Sequence, residues 1–434
     1  MIDLTNHIVE KALSLGATDI IAKGITSKNQ QIRFSNNEID IAKTWHENVI
    51  EVFLVYEKKV VSTEIRNFDD LDKSTEQLVK LAKISRENPE YGGIARGPFT
   101  YSEMRSDSRL KNLTEVSDFA LAAINKALEE ATTTAGILFL TNKDIFLSSS
   151  GGIEVQDELT SIELSIRAFS QKEASGHSVS CSPTLDGFEP EKAGEEAGEF
   201  SRLAKNPVRG DEGTFDIVFA PLILGSVLSY SVEMASAFNV QAGRSMYVGK
   251  VGEEVASEKV TVTDTPTGLK QPRFDDEGVP TKEHLIIEKG VLKTYLHNTS
   301  TAARSQTETT ANAGFVIPRS HNVHIKPGDY TRDELFEEVD SGLYLTNTWY
   351  TRFQNMQAGD FSTIPRDAIF KIEKGEITKS LKDIRISDNM LNLYQSMEGV
   401  SKEQKLVHWW AEVDTPCTAS HVLARKIKIT RSTD

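Results

Sequence analysis

The order of apolar and polar positions divides the chain into stretches of different period. From Asp3 to Leu15, apolar residues fall at Leu4, Ile8, Ala12 and Leu15. That spacing marks one face of a helix, and Gly16 is placed to end it. Strand-like runs follow at Ile20 to Lys23, Gln31 to Phe34 and Val49 to Tyr56, with Lys58 to Thr63 as the hairpin partner of the last. Asp69 to Ile84 returns to the helical period. Asn88 to Thr100, punctuated by Pro89, Gly92, Gly93, Gly97 and Pro98, reads as a linker or ordered loop.

The same order then recurs. Thr114 to Thr132 predicts an amphipathic helix. Gly136 to Leu140, Ile145 to Ser149, Gly152 to Val155 and Ser161 to Ser170 predict strands, and Glu189 to Lys205 a closing helix. Ile32-Arg33-Phe34-Ser35 resembles Ile145-Phe146-Leu147-Ser148, and Leu-Ala-Lys occurs at 81–83 and 203–205. Two helix–meander–helix units are predicted, whether by duplication or by convergence on the same patterning.

From Thr214 the pattern changes. A strand to Ala220 leads into Pro221, which suits the first position of a helix. Leu224, Val227, Leu228, Val232 and Ala235 then form an apolar stripe, predicting a helix from Pro221 to Phe238. Beyond Val248 the chain becomes short strands and Gly/Pro turns, such as His284 to Glu288 before Lys289-Gly290 and Ala368 to Glu373 before Lys374-Gly375. The fold class is α+β, with domains at 1–205 and 206–434, the second rich in antiparallel strands.

Composition narrows the function. The chain has 434 residues, 38% hydrophobic and 26% charged, which suits a folded globular protein. Its formal net charge is -15, and an acidic chain with no concentrated basic patch argues against nucleic-acid binding. The only thiols, Cys181 and Cys417, do not make a disulfide framework, so a reducing compartment, the cytoplasm, is expected. The longest apolar run, Ile217 to Leu228, is too short to span a bilayer, and Met1-Ile2-Asp3-Leu4 passes into an amphipathic stretch and does not read as a basic region followed by an apolar core. No phosphate-binding glycine loop occurs, so no nucleotide cofactor is expected.

The second half also carries an ordered set of phrases. Val251-Gly252-Glu253-Glu254-Val255-Ala256-Ser257-Glu258 precedes Val262-Thr263-Asp264. Phe274-Asp275-Asp276-Glu277-Gly278 and Ile286-Ile287-Glu288-Lys289-Gly290-Val291-Leu292 follow. Pro318-Arg319, Asn322, Pro327-Gly328 and Gly342-Leu343-Tyr344 complete the set. In order and spacing this resembles the TldD/PmbA family, also called modulators of DNA gyrase, and the resemblance extends over the chain. It implies a two-domain α+β fold and a paired assembly in which one subunit type is a zinc protease. That type carries His-Glu-x-x-x-His on a helix and a Cys near the C-terminus, which hold the metal while leaving a place for water.

Counted back without gaps from Val251-Gly252-Glu253, the family's histidines fall on Leu228 and Glu233 and its glutamate on Ser229. Counted back from the final strand, its cysteine falls on Leu406. No His occurs between His177 and His284, so a small slip cannot restore the motif. The resemblance therefore implies a PmbA-like, metal-free subunit with no cofactor. Its expected partners are a zinc-bearing TldD-like chain or a second copy, together with a peptide substrate.

Other constellations stand beside it. His321 and His324, three apart on a strand, point to opposite faces and do not read as a metal pair. Cys417 and His421 could form a nucleophile and base, with Asp414 nearby, but Cys417 reads better as a small residue entering the last strand. Ser229 and Glu233 lie four apart on one helix and could meet; they are the weak catalytic candidates of an independent hydrolase. Tyr344, Trp349, Tyr350 and Arg352, with Asp360 just after them, are the substrate-binding candidates, and Arg319 and Arg366 are weaker ones for the same cleft. The alternative for these aromatics is a packed corner. A third reading is a non-enzymatic regulator that binds a topoisomerase.

Overall fold

The computed structural model describes residues 1–410 and 412–431. Ile2–Ser14 (α1), Asp19–Ser35 (β1), Glu38–Tyr56 (β2), Lys59–Ile65 (β3) and Leu71–Ile84 (α2) form a first unit. After a short helix, Ser108–Asn112 (α3), the order repeats as Ser117–Ala127 (α4), Thr133–Ser149 (β4), Ile153–Gln171 (β5), Ala174–Ser182 (β6) and Pro190–Leu203 (α5). The matching elements agree in length: β1 and β4 have 17 residues each, β2 and β5 have 19, and α2 and α5 have 14.

All six strands join one antiparallel sheet in the order β3-β2-β1-β4-β5-β6. The two units meet at β1 and β4, whose pairing runs from Ile21↔Ser149 to Ser35↔Ala135. α1 and α2 bury Ile8 and Leu78 against Val52 and Leu54 on one half, and α4 and α5 bury Ala123 and Ala197 against Leu138 and Leu164 on the other. The helix ends follow local chemistry. Asp70 accepts from the Lys73 N–H as the cap of α2. Gly16, at φ +93, ends α1 in a conformation that L side chains rarely adopt.

The sequence predicts two strands where β1 is one. Its middle is polar, so no apolar alternation marks it, yet Ser27, Asn29 and Gln30 are buried. Asn29 donates to Ser27 and Gln30 donates to the Leu113 carbonyl, which satisfies polar groups that would be costly there.

The second domain begins with Val208–Arg209 (β7), Gly213–Phe219 (β8), Pro221–Met234 (α6) and Ala237–Gln241 (α7). Val262–Asp264 (β9), His284–Glu288 (β10), Val291–Leu292 (β11), Thr299–Ser305 (α8), Val323–Ile325 (β12) and Arg332–Glu337 (α9) follow. Ser341–Asn355 (β13), Asp360–Glu373 (β14), Glu376–Lys382 (β15), Ile384–Asn389 (β16), Met390–Gln395 (α10), Met397–Trp409 (β17) and Val413–Arg431 (β18) complete it. These strands make a mostly antiparallel sheet with β18 near its centre, beside β8, β12, β16 and β17. The protein is α+β in two domains.

α6 lies on this sheet, buried on nearly every side. The predicted stripe of Leu224, Val227, Leu228, Val232 and Ala235 is in the core. Gly225 allows the close approach: a Cβ there would lie 2.5 Å from Val407 Cγ2 and 3.6 Å from Cys417 Cβ. The helix stops at Met234, before the predicted Phe238, because the chain turns at Ser236. There the Ser236 hydroxyl donates to the Pro318 carbonyl and the Ala237 N–H to the Leu296 carbonyl.

The domains share apolar surface. Val179 of β6 and Phe200 of α5 belong to the core of the second domain. Phe53, Leu147 and Ile153 of the first sheet pack with Phe274 and Phe315 of the second domain.

Candidate functional site

A cleft of about 540 Å³ lies between the domains. One wall is β3, through Ser62, Thr63 and Glu64. The other walls are Ser229 and Glu233 of α6, the loop Gly314 to Ser320, and Asp414-Thr415 of β18. β3 is an edge strand of the first sheet. It pairs with β2 from Lys59↔Tyr56 to Ile65↔Ile50, and among the described residues the far side is bridged only at Lys59, by Glu87. The side of β3 turned from β2 therefore offers main-chain donors and acceptors to the cleft.

The base of the cleft is an ionic network. Buried Lys23 bridges Glu51 at 2.7 Å and Asp276 at 2.9 Å, and Asp276 receives Arg319 at 2.7 Å. Burial would favour neutral forms here, but Lys23 and Arg319 hold Asp276 below its ordinary range, and the two carboxylates hold Lys23 above its own. This network fixes β1 and β2 against the second domain.

Glu233 differs. Burial first, and then repulsion from Asp414, raises its carboxyl. Among the described residues no side chain bonds to the Glu233 or Asp414 carboxylate. Ser229 is nearly buried and accepts from the Thr415 N–H at 3.1 Å, which ties α6 to the start of β18. Among the described residues Ser229 has no imidazole beside it and no bond to Glu233, so it lacks the base an activated serine needs.

The counted metal-ligand positions do not suit zinc. Leu228 is wholly buried in the core. Leu406 sits next to Val407 in β17, and Val407 is the residue directed at Gly225 of α6; the Leu406 side chain leaves the opposite face of the strand. The residues of β18 that do face the cleft beside α6 are Asp414 and Thr415. Glu233 and Asp414 supply carboxylate oxygens and no nitrogen or sulfur, unlike a catalytic zinc set. Among the described residues, no three of His, Cys, Asp and Glu converge where an ion could sit.

The other sequence candidates disperse. Arg319 lines the cleft. Tyr344 is enclosed, buried against Phe336 at 5.0 Å and Phe370 at 6.1 Å between ring centroids. This corrects its reading as a substrate contact, since the aromatic corner there is packed core. Asp360 accepts from Asn389 at 3.0 Å where β14 meets β16, outside the cleft. Arg352 donates to the Tyr230 hydroxyl. Trp349, Tyr350 and Arg366 line a different cavity.

Cys417 is buried, its thiol directed at the Gly225 and Thr415 carbonyls, and burial pushes its pKa far above the usual thiol range. His421 instead bonds the Tyr344 hydroxyl, so the pair does not form a dyad. His321 bonds the Ala311 carbonyl and His324 bonds Gln404, so they share no ligand. Sequence reading missed the β3 edge, Glu51 and Asp276, which come together only through long-range pairing.

Residues 212–431 match the family description of the PmbA/TldA metallopeptidase C-terminal domain. A metalloprotease of Methanocaldococcus jannaschii is 26% identical over 430 residues, covering 92% of each chain. A metalloprotease of Methanothermobacter thermautotrophicus is 31% identical over 291 residues, 63% of each. Among solved structures, a candidate modulator of a DNA gyrase from Thermotoga maritima superposes with a TM-score of 0.87 at 24% identity, over 99% of both chains. TldE from Thermococcus kodakarensis gives 0.87 at 21% identity, over 98% of this chain and all of that one (100%). At these identities the two structures speak for the fold.

Proposed function

Because the chain belongs to the PmbA/TldD family, we propose that it is the metal-free subunit of a peptidase assembly, holding extended peptides for a zinc-bearing relative to cut. One observation carries the reading. An open sheet edge, β3, lines the cleft where α6 presents Ser229 and Glu233 instead of a metal-binding set. An extended peptide adds to such an edge through main-chain hydrogen bonds, so affinity depends little on its sequence. Glu51 and Asp276 are engaged by Lys23, which leaves them to position the walls rather than to carry chemistry.

The test is to express the chain alone and together with a zinc-bearing relative from the same genome. The pair is expected to copurify and to cut unfolded peptides in a chelator-sensitive way, the single chain to bind them without cutting. Chelator-resistant cleavage by the purified single chain would overturn the proposal and favour an independent hydrolase. Recovery of a topoisomerase instead of a peptidase would favour the regulator.

A further inference from the structure

A second cavity, of about 690 Å³, lies between the ends of β5 and β6 in the first domain and β13 to β15 in the second. Its walls carry Arg167, Lys172, Arg366 and Lys382, with Trp349 and Tyr350 as aromatic surface. Three carboxylates also line it, Glu173, Asp367 and Asp383. Two of them are engaged: Glu173 pairs with Lys382 at 2.7 Å, and Asp367 accepts from Ser175 at 2.9 Å and Asn347 at 2.7 Å. Among the described residues Lys172 and Arg366 have no ion-pair partner, against Asp383 alone. The remaining balance is cationic, in a chain of net charge -15.

Arg167 is the telling residue. Its guanidinium carbon lies 4.5 Å from the Trp349 ring centroid and 5.4 Å from that of Trp409. Asp367 comes within 3.4 Å of Nε, yet Nε and Nη2 are buried without a hydrogen-bond partner among the described residues. Stacking on indole faces steadies the charge, but it leaves guanidinium donors unused, which is costly. The backbone around the cavity is also held in costly form. Tyr350 and Asp367 both take φ 60. Each sits in a register shift between β13 and β14. The first shift is held by Glu412, a buried carboxylate that accepts from the Tyr350 N–H at 2.5 Å and the Thr351 N–H at 3.0 Å. The second is held by Asp367 itself. Such strain persists where the surroundings enforce it, often beside a ligand site.

The geometry points to an oxyanion site: this cavity takes a small ligand through a carboxylate or phosphate group, received by Arg366 and Lys172 beside Arg167, with its body against Trp349 and Tyr350. Guanidinium groups suit both anions because their donors match two oxygens at once. The site is separate from the β3 cleft and does not depend on the peptide-holding reading.

Isothermal titration calorimetry on the full chain tests it with three probes: inorganic phosphate, an N-acetylated aromatic amino acid with a free carboxylate, and its neutral amide. Saturable binding of phosphate or of the free acid, but not of the amide, is expected, and which of the two binds identifies the source of the oxyanion. Arg366→Ala and Lys172→Ala change exposed residues and should keep the fold; each should weaken binding by about tenfold. Equal binding of acid and amide, no saturable heat with either anion, or full affinity in both variants would overturn the assignment.

Discussion

Arg352 Nη1 donates to the Tyr230 hydroxyl at 2.5 Å and so joins α6 to the irregular stretch of β13. The same nitrogen donates to the Thr351 carbonyl, and the Glu412 carboxylate is 4.0 Å away. A residue the sequence suggested as a substrate contact is thus a strut between the helix beside the cleft and the strand beside the second cavity.

Arg352→Ala should therefore cost stability rather than binding. Its side chain is 58% exposed, so the lost hydrogen bond should amount to about 1 kcal/mol. Peptide affinity at β3 should not change. Denaturant titration and a peptide-binding isotherm check both parts. A normal melt with lost peptide binding would return Arg352 to the substrate site.

Glu233→Gln separates the peptide-holding reading from the independent hydrolase. The carboxylate has Asp414 as its charged neighbour and is raised by burial and by that repulsion. Removing the charge should leave stability within about 0.5 kcal/mol or improve it slightly. Cleavage by the assembled pair should persist. A collapse of turnover with intact assembly would make Glu233 a base.

Recognition at β3 is expected to be main-chain recognition, and altered peptides test it without touching the protein. Successive residues of an added strand alternate in the direction of their N–H groups. N-methylation at every second residue should lower affinity by about tenfold or more in one phase and little in the other. Equal losses in both phases, or none in either, would remove β3 as the docking edge.

A buried acid pair predicts a pH dependence. Burial comes first in raising both Asp275 and Glu277, to about 7, with Glu277 repelling Asp275 and Asp276 repelling Glu277. Asp275 accepts from the N–H groups of Glu277, Val279 and Ala313, and Glu277 accepts from the N–H and hydroxyl of Thr299, so both are anchored and it is burial that makes the pair retain a proton. For Glu277, a folded pKa above the ordinary value of 4.5 gives stability that is full below that value and lost as pH rises through about 7. His177 and His421, held down by burial to about 3 and about 4, act oppositely and lose stability as pH falls below about 6.5. Glu277→Gln isolates the pair. Its stability should fall less than the parent's between about pH 4 and 7, measured by denaturant titration across that range. Identical slopes would refute the assignment.

Sequence reading found what local pattern encodes. The apolar stripe of α6 placed Leu228 in the core and left Ser229 and Glu233 beside it. The repeated helix–meander–helix order was visible before any pairing was known. It did not find the middle of β1, where Ser27, Asn29 and Gln30 are buried without apolar alternation. Nor did it find that Ser62 to Glu64 face Asp414, because strand pairing and domain packing, not spacing, bring them together. Tyr344 and Trp349 show the limit for aromatics: both looked like contact residues, and only tertiary burial separates the core ring from the one lining a cavity.

The repeated architecture leaves one further consequence. A sheet made of two like halves joined at β1 and β4 ends in two comparable margins, β3 and β6. The second domain settles over β6 and takes Val179 and Cys181 into its own interior. That margin is closed by the protein's own mass, and its counterpart at β3 stays an open edge along the cleft. Unequal roles thus arise from a balanced frame through the way the later half of the chain leans on it.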